Sequence, residues 1–308
     1  MRELDFIKWI TRQSRFDPAR VPIGPGDDMA VVKCGAEDLL ITIDQVLDGV
    51  HFLLEEHGPR LAGRKAMARN LSDVAAMAAE PLAAVASVAL PKGTDEAVAR
   101  EIYGGIRELG DRFHCPLVGG DLGTWDQKLA ISLTLFARPG TGRPVLRSGA
   151  KPGDAICVTG KLGGAWRTRR HLEFIPRVEE AQMLSGAADL HAMIDLSDGL
   201  ATDLGHICRA SGVGAELTEP AIPIHPDAAT GISTEDRGEM LSRALTDGED
   251  HELCFTLPQA EADKLVSQPP CEVELTKIGR IVDGKGIQLI AADGSRSPVD
   301  KPGWEHLA

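Results

Sequence analysis

Apolar residues recur along this chain at two spacings. In "KLAISLTLFA", residues 128–137, Ile131, Leu133 and Leu135 fall on one side and Ser132, Thr134 and Phe136 on the other. That is the period of a strand with two different environments. Compact apolar runs predict further strands at "DLLITID" (38–44), "LAAVASVAL" (82–90), "AICVTG", "HAMID", "HELCFTLP", "EVELTKIG" and "GIQLIAA". Helical spacing is read over residues 3–13, 60–79 and 94–112, and in "GLATDLGHICRAS", where Leu200, Leu204, Ile207 and Cys208 share a stripe. Strands and helices alternate in both halves, which predicts a mixed α/β fold. The stretch "RPGTGRPVLRSGAKPGD" (138–154) is rich in glycine, proline and basic residues. It predicts a boundary between an N-terminal domain, residues 1–140, and a C-terminal one, residues 141–308.

Composition narrows the function classes. The chain has 308 residues, 43% of them hydrophobic, enough for a sizeable core in two domains. Its 46 acids outnumber 33 bases, a formal charge of -13. Such a surface is a poor partner for nucleic acid or an anionic membrane, so neither is expected. Six scattered cysteines without a C-x-x-C pair read as buried hydrophobes in a reducing compartment. Residues 1–14 lack the apolar core of a signal peptide, and no run approaches the roughly 20 apolar residues of a membrane span. A soluble, cytoplasmic protein is expected.

The acidic residues are placed unusually. Asp27 and Asp28 follow a Gly-Pro-Gly turn and precede a strand. Asp44 ends a predicted strand, and Asp73 lies on the long helix. Asp121 follows "PLVGG", just past a predicted strand, Asp195 ends "HAMID", and Asp198 stands at the next helix start. Glu249 and Asp250 precede another strand. Each has a plain reading: a turn residue, a solvated side chain or, for Asp198, a helix N-cap. Strand ends and adjoining loops are, however, where α/β folds build sites. Converging carboxylates cannot all stay ionised without countercharge. Magnesium suits an all-oxygen set that also receives phosphates. "VTGKLGG" lacks the Ser or Thr of a Walker loop, and no G-x-G-x-x-G follows a strand. Neither kinase H-R-D and D-F-G nor G-x-S-x-G and H-E-x-x-H occurs. If the chain handles a nucleotide, the route is through aspartates and magnesium.

The segments "GPGDDMAVV", "TIDQVLDGVHF", "ARNLSDVAAMAAEP", "LVGGD", "RSGAKPGDAICVTG", "IDLSDGLATDLGHI" and "TDGEDHELCF" resemble, in order, the thiamine-monophosphate kinase family. The resemblance runs from about residue 5 to "PGWEHL". It implies a two-domain fold similar to aminoimidazole ribonucleotide synthetase, and a homodimer in which the N-terminal sheets pair. It also implies ATP as co-substrate, with magnesium, for direct in-line phosphorylation of thiamine monophosphate. Carried over position by position, Asp28, Thr42, Asp44, Asp73, Asp121, Asp195 and Asp198 match metal-binding positions. Gly120, Asp121, Arg147 and Ser197 match nucleotide contacts, and His51, Glu249 and Trp304 match positions around the thiamine phosphate. No residue is assigned as a general base.

The chain also departs from the family pattern. Ile43 replaces a hydroxyl residue expected near the metals, and "LGTWDQ" follows Asp121 where another segment is usual. Asp247 replaces a glycine, His251 a tyrosine, and the segment after "VTGKLGG" is short. Two alternatives therefore stand beside the kinase reading. One is a sibling ATP-dependent enzyme such as an aminoimidazole ribotide-forming ligase. The other is a non-catalytic nucleotide- or metal-binding relative.

Overall fold

The computed structural model describes residues 9–299 and Gly303. Two sheets organise it. The first holds β1 (Ala30–Cys34), β2 (Glu37–Leu47), β3 (Ala79–Pro91), β4 (Leu117–Trp125) and β5 (Ala130–Pro139), in the order β1-β2-β5-β3-β4. Neighbours are antiparallel except β3 and β4. The second holds β6 (Ala155–Thr159), β7 (Ala192–Asp195), β8 (Gly214–Thr218), β9 (Leu253–Leu257), β10 (Leu275–Val282), β11 (Gly286–Ile290) and β12 (Arg296–Pro298), in the order β12-β11-β8-β10-β6-β9-β7.

The alternation read in residues 128–137 is realised in β5. Ile131, Leu133 and Leu135 are buried, while Ser132, Thr134 and Phe136 are partly exposed. Two expectations need correction. Asp44 does not end its strand, because β2 runs on to Leu47. Asp121 does not stand just past its strand but sits inside β4, an exposed edge strand that runs on through the glycines to Trp125. Of the helix expected over residues 3–13, the described part, residues 9–13, is helical.

The helix Pro59–Ala76 lies between the two sheets. Proline at its first turn starts it, since the missing N–H would be unpaired there anyway. Small residues let it be buried nearly all round, and it crosses the helix Glu96–Arg112 at backbone contact. A Cβ on Gly63 would stand 2.1 Å from the Ile102 carbonyl oxygen, and one on Gly105 2.0 Å from that of Arg60. One apolar cluster runs from the inner face of the first sheet (Leu40, Leu133) through Leu71 to the second sheet (Phe255). A second cluster fills the other face of the second sheet, with Val158, Ile278, Leu204 and Ile207. The two halves therefore share a hydrophobic seam, and polar residues of the central helix emerge at its end.

Candidate active site

Four elements bring carboxylates to that end of the seam. The turn before β1 supplies Asp28, β2 supplies Thr42 and Asp44, the central helix Asp73, and the end of β7 Asp195. Alternation along β2 puts Thr42 and Asp44 on its inner face. Asp28, Asp73 and Asp195 each offer an oxygen atom within 4.8 Å of the others. Thr42 Oγ1 donates a short hydrogen bond to Asp73. Ser72 Oγ donates to Asp195 Oδ2 at 2.6 Å. Arg147 Nη2 donates to Asp28 Oδ1 at 2.5 Å, and its backbone N–H reaches the Asp27 carboxylate at 3.2 Å.

The electrostatics are those of crowded acids. Burial pushes the Asp28 carboxyl up to about 6 against the pull of Arg147. Burial also raises Asp73 well above the usual carboxylate range, reinforced by the charges of Asp44 and Asp195. Asp28 Oδ2 is buried with no hydrogen-bond partner. An unpaired buried carboxylate oxygen is costly unless a cation takes it. Three carboxylates, one of them with an orphan oxygen, fit a magnesium ion, which favours all-oxygen donors.

A cavity of about 270 Å³ lies alongside, lined in part by His51, Arg69, Trp166, Ser197, Asp198 and Glu249. Glu249 sits at φ 60°, a left-handed position unusual for its type, and its N–H donates to the Ser197 carbonyl at 2.7 Å. Its carboxylate collects cations: Lys65 Nζ at 2.8 Å, His251 Nε2 at 3.2 Å and Arg69 Nη1 at 3.6 Å. Burial would raise it, but Lys65, His251 and Arg69 hold it well below the ordinary glutamate range. Arg69 Nε also donates to Asp44 at 3.1 Å. His251 joins the two regions, with Nδ1 3.2 Å from Asp195 and its ring stacked on Phe174. Burial lowers its basicity, but Asp195 and Glu249 together raise it.

His51 is buried at the cavity wall, and its Nδ1 accepts the Leu47 N–H at 3.1 Å. Ser197 and Asp198 line the cavity. Asp198 is not the N-cap of the helix Leu200–Ser211. That position is Gly199, and the buried Asp203 accepts the N–H groups of both Asp198 and Gly199 at 3.0 Å. Trp304 lies outside the described residues; Gly303 lines the cavity.

Gly120 and Asp121 are not brought to this cluster within one chain. Asp44 pairs with Leu133, Leu133 with Ala86, and Ala86 with Gly120. Three strand spacings, about 14 Å, therefore separate β2 from β4 at this level. Gly120 also has a packing reason to be glycine, since a Cβ there would meet the Ala86 carbonyl oxygen at 2.1 Å. Ile43 does not stand near the carboxylate cluster either. It is 66% exposed on the opposite face of β2 from Thr42 and Asp44, so its missing hydroxyl takes nothing from the cluster in this chain.

With this geometry in view, similarity to known proteins is informative. Residues 26–138 match the N-terminal domain, and residues 151–292 the C-terminal domain, of AIR synthase related proteins. The thiamine-monophosphate kinase of Rhodopirellula baltica is 38% identical, with 99% of this chain and 97% of the relative covered. The chain belongs to the thiamine-monophosphate kinase family. The enzyme of that name from Bacillus subtilis is 31% identical over the full length of both chains. Among solved structures, AaThiL complexed with AMPPCP and TMP superposes with a TM-score of 0.82 at 29% identity, covering 99% of this chain and 97% of that one.

Two departures from the family pattern meet in space. Arg167, in the short segment after "VTGKLGG", forks onto Asp247 with Nε–Oδ2 at 2.8 Å and Nη2–Oδ1 at 3.2 Å. Lys65, Arg69, Ser72 and Asp203 were not singled out in the sequence. The first three stand with Asp73 at helical spacing, i, i+4, i+7 and i+8, a polar stripe inside an alanine-rich helix. That stripe was the available signal.

Proposed function

We propose that this protein transfers the γ-phosphoryl group of ATP to the phosphate of thiamine monophosphate, giving thiamine diphosphate and ADP. The observation that carries the reading is the Asp28–Asp73–Asp195 cluster beside a cavity, in a chain of this family. The structural neighbour with AMPPCP and TMP bound supports the pairing of a nucleotide with this acceptor.

The acceptor needs little general-base help, because a phosphomonoester with a second pKa of about 6 is mostly dianionic at neutral pH. The obstacle is repulsion between two anions and the need for in-line alignment. Asp28, Asp73 and Asp195 would hold magnesium, with Asp44, Thr42 and Asp198 at their side. Magnesium there supplies charge neutralisation of the transferring phosphoryl group. The remaining work belongs to the protein's own cations. Arg147 stands at the cluster for the nucleotide phosphates, with Ser197 as a further contact. Lys65 and Arg69 hold Glu249 at the acceptor end, where His51 also lies. The Gly120–Asp121 segment enters the reading through assembly: we take the active form to be a homodimer joined through the N-terminal sheets. Residues 1–140 and 141–308 are taken as its two domains, which the two sheets support. No helix of the described residues is long and apolar enough to cross a membrane; we take the protein to work on its substrates in the cytoplasm.

The test is ADP release by the purified protein. It should require both thiamine monophosphate and a divalent cation. ADP release indifferent to thiamine monophosphate would overturn the reading. The ligase alternative predicts ADP release driven by a different acceptor. The non-catalytic alternative loses its support at Ile43, which faces away from the cluster.

A further inference from the structure

The cavity beside the carboxylates has one large aromatic side chain among its described lining residues, Trp166. Its place follows from local backbone chemistry. Gly163 and Gly164 both have positive φ, 94° and 77°. A Cβ on Gly163 would stand 2.7 Å from the Ala244 backbone nitrogen, and one on Gly164 2.3 Å from the Asp227 carbonyl carbon. Only glycines allow this approach. The segment is thereby pressed against the backbone at Arg243–Ala244 and Asp227–Ala228 before a single 3-10 turn, Ala165–Arg167, turns Trp166 toward the cavity. The turn is tied down on both sides. Asp250 accepts the Gly163 N–H at 2.8 Å, Arg170 Nη2 donates to the Gly163 carbonyl at 2.7 Å, and Arg167 is forked to Asp247.

The indole is held but not covered. The His171 ring lies 4.6 Å from it at 45°, and the fully buried Lys65 Nζ lies 5.4 Å from its centroid. Even so, 43% of Trp166 is exposed. A large aromatic side chain fixed by its neighbours and left bare toward a cavity is a preformed stacking surface. Burial pushes the His171 imidazole down to about 4, so it is neutral beside the indole. Its Nδ1–H is donated to the Thr168 carbonyl at 2.8 Å and the Ala165 carbonyl at 3.1 Å. These bonds fix the ring that supports Trp166.

We propose that Trp166 is the stacking platform for the cationic heteroaromatic part of the acceptor, and so a determinant of acceptor specificity. This rests on the phosphorylation reading above but adds a residue and a chemistry to it. A π face attracts a heteroaromatic cation over and above its apolar area, and tryptophan does so best. The acceptor's phosphate then points away from Trp166 toward the carboxylate cluster, with Glu249 and its cations between the two. Trp166 makes no part of the phosphoryl-transfer machinery. Its contribution is therefore to acceptor binding in the ground state and transition state alike.

The experiment compares Trp166→Phe, Trp166→Leu and Trp166→Ala with the wild type by steady-state kinetics, and by calorimetric titration with thiamine monophosphate alone. Trp166→Leu keeps an apolar side chain of substantial volume but removes the π face, so it separates stacking from packing. Trp166→Phe should keep KM and Kd for thiamine monophosphate within about threefold. Trp166→Leu and Trp166→Ala should raise both about tenfold, with KM for ATP and kcat within about twofold. A leucine variant with unchanged affinity, or parallel changes in both KM values, overturns the proposal. If the wild type binds thiamine monophosphate without phosphorylating it, the function reading fails and the titrations still decide the role of Trp166. If the wild type does not bind thiamine monophosphate, both fail.

Discussion

Arg147 Nη2 lies 2.5 Å from Asp28 Oδ1, a bond between residues 119 positions apart that places a cation against the most buried acid of the cluster. Without a metal, Arg147 is the main charge offsetting Asp28. Arg147→Met should therefore lower the melting temperature of the metal-free protein by several degrees, because it leaves a buried carboxylate unpaired. Magnesium should restore more stability to the variant than to the wild type. KM for ATP should rise about tenfold, as expected for loss of a charged phosphate contact. Thermal scans with and without magnesium, together with initial rates, check all three outcomes.

Asp73 sits where burial, reinforced by neighbouring acids, opposes its ionisation. Asp73→Asn removes both penalties while keeping shape. The metal-free variant should melt at a higher temperature than the wild type, yet lose on the order of 100-fold or more in kcat. Opposite signs for stability and activity mark a residue held for chemistry. A variant that is less stable and fully active would contradict the assignment.

Asp250 gives a pH dependence whose sign can be worked out. Burial pushes its carboxyl up to about 7, against the pull of Arg170 and the Gly163 N–H. The folded value lies above the ordinary 3.8, so the folded state keeps a proton that the unfolded chain has released. Its stabilising contribution is complete below about 3.8 and lost as pH rises through 7. Between pH 5 and pH 8, the wild type should lose more melting temperature than Asp250→Asn, which cannot titrate. Parallel curves for the two proteins would show that Asp250 does not titrate in this window.

Assembly is a separate prediction. Ile43 on the open face of the first sheet, and Val118 and Leu122 on its edge strand β4, are more than 60% exposed. Apolar surface left bare on one sheet is what a second copy would cover. Light scattering should show a dimer at micromolar concentration, and Val118→Lys should shift it toward monomer. An active wild-type monomer would contradict the homodimer.

Much of this was legible before the fold was known, for identifiable reasons. β5 was readable because Ile131 to Phe136 alternate without interruption. The central helix was readable because nothing in "RLAGRKAMARNLSDVAAM" breaks it. The full length of β4 was hidden, since Gly119, Gly120 and Gly123 have low strand propensity and the strand is held by pairing with β3. Of the aspartates that stood out in the sequence, Asp28, Asp73 and Asp195 come together in the fold. The sequence could not show that Asp121 and Ile43 stand apart from the cluster, because sheet order and strand face settle that. Lys65 and Arg69 read as solvated charges on a helix. Only tertiary packing buries Lys65 against Glu249. Asp198 looked like a cap because capping residues and site residues share the same chemistry, and Asp203 takes over the backbone bonds instead.

Phosphoryl transfer from ATP to a phosphate acceptor can be followed atom by atom. The direct measurement is to incubate the protein with magnesium, thiamine monophosphate and ATP labelled in its γ-phosphate, then separate the products and locate the label. Labelled thiamine diphosphate is expected, with the label in the terminal phosphate and one ADP formed for each molecule of product. Label recovered only as inorganic phosphate, or retained in ATP while the protein is folded and magnesium is present, would contradict it.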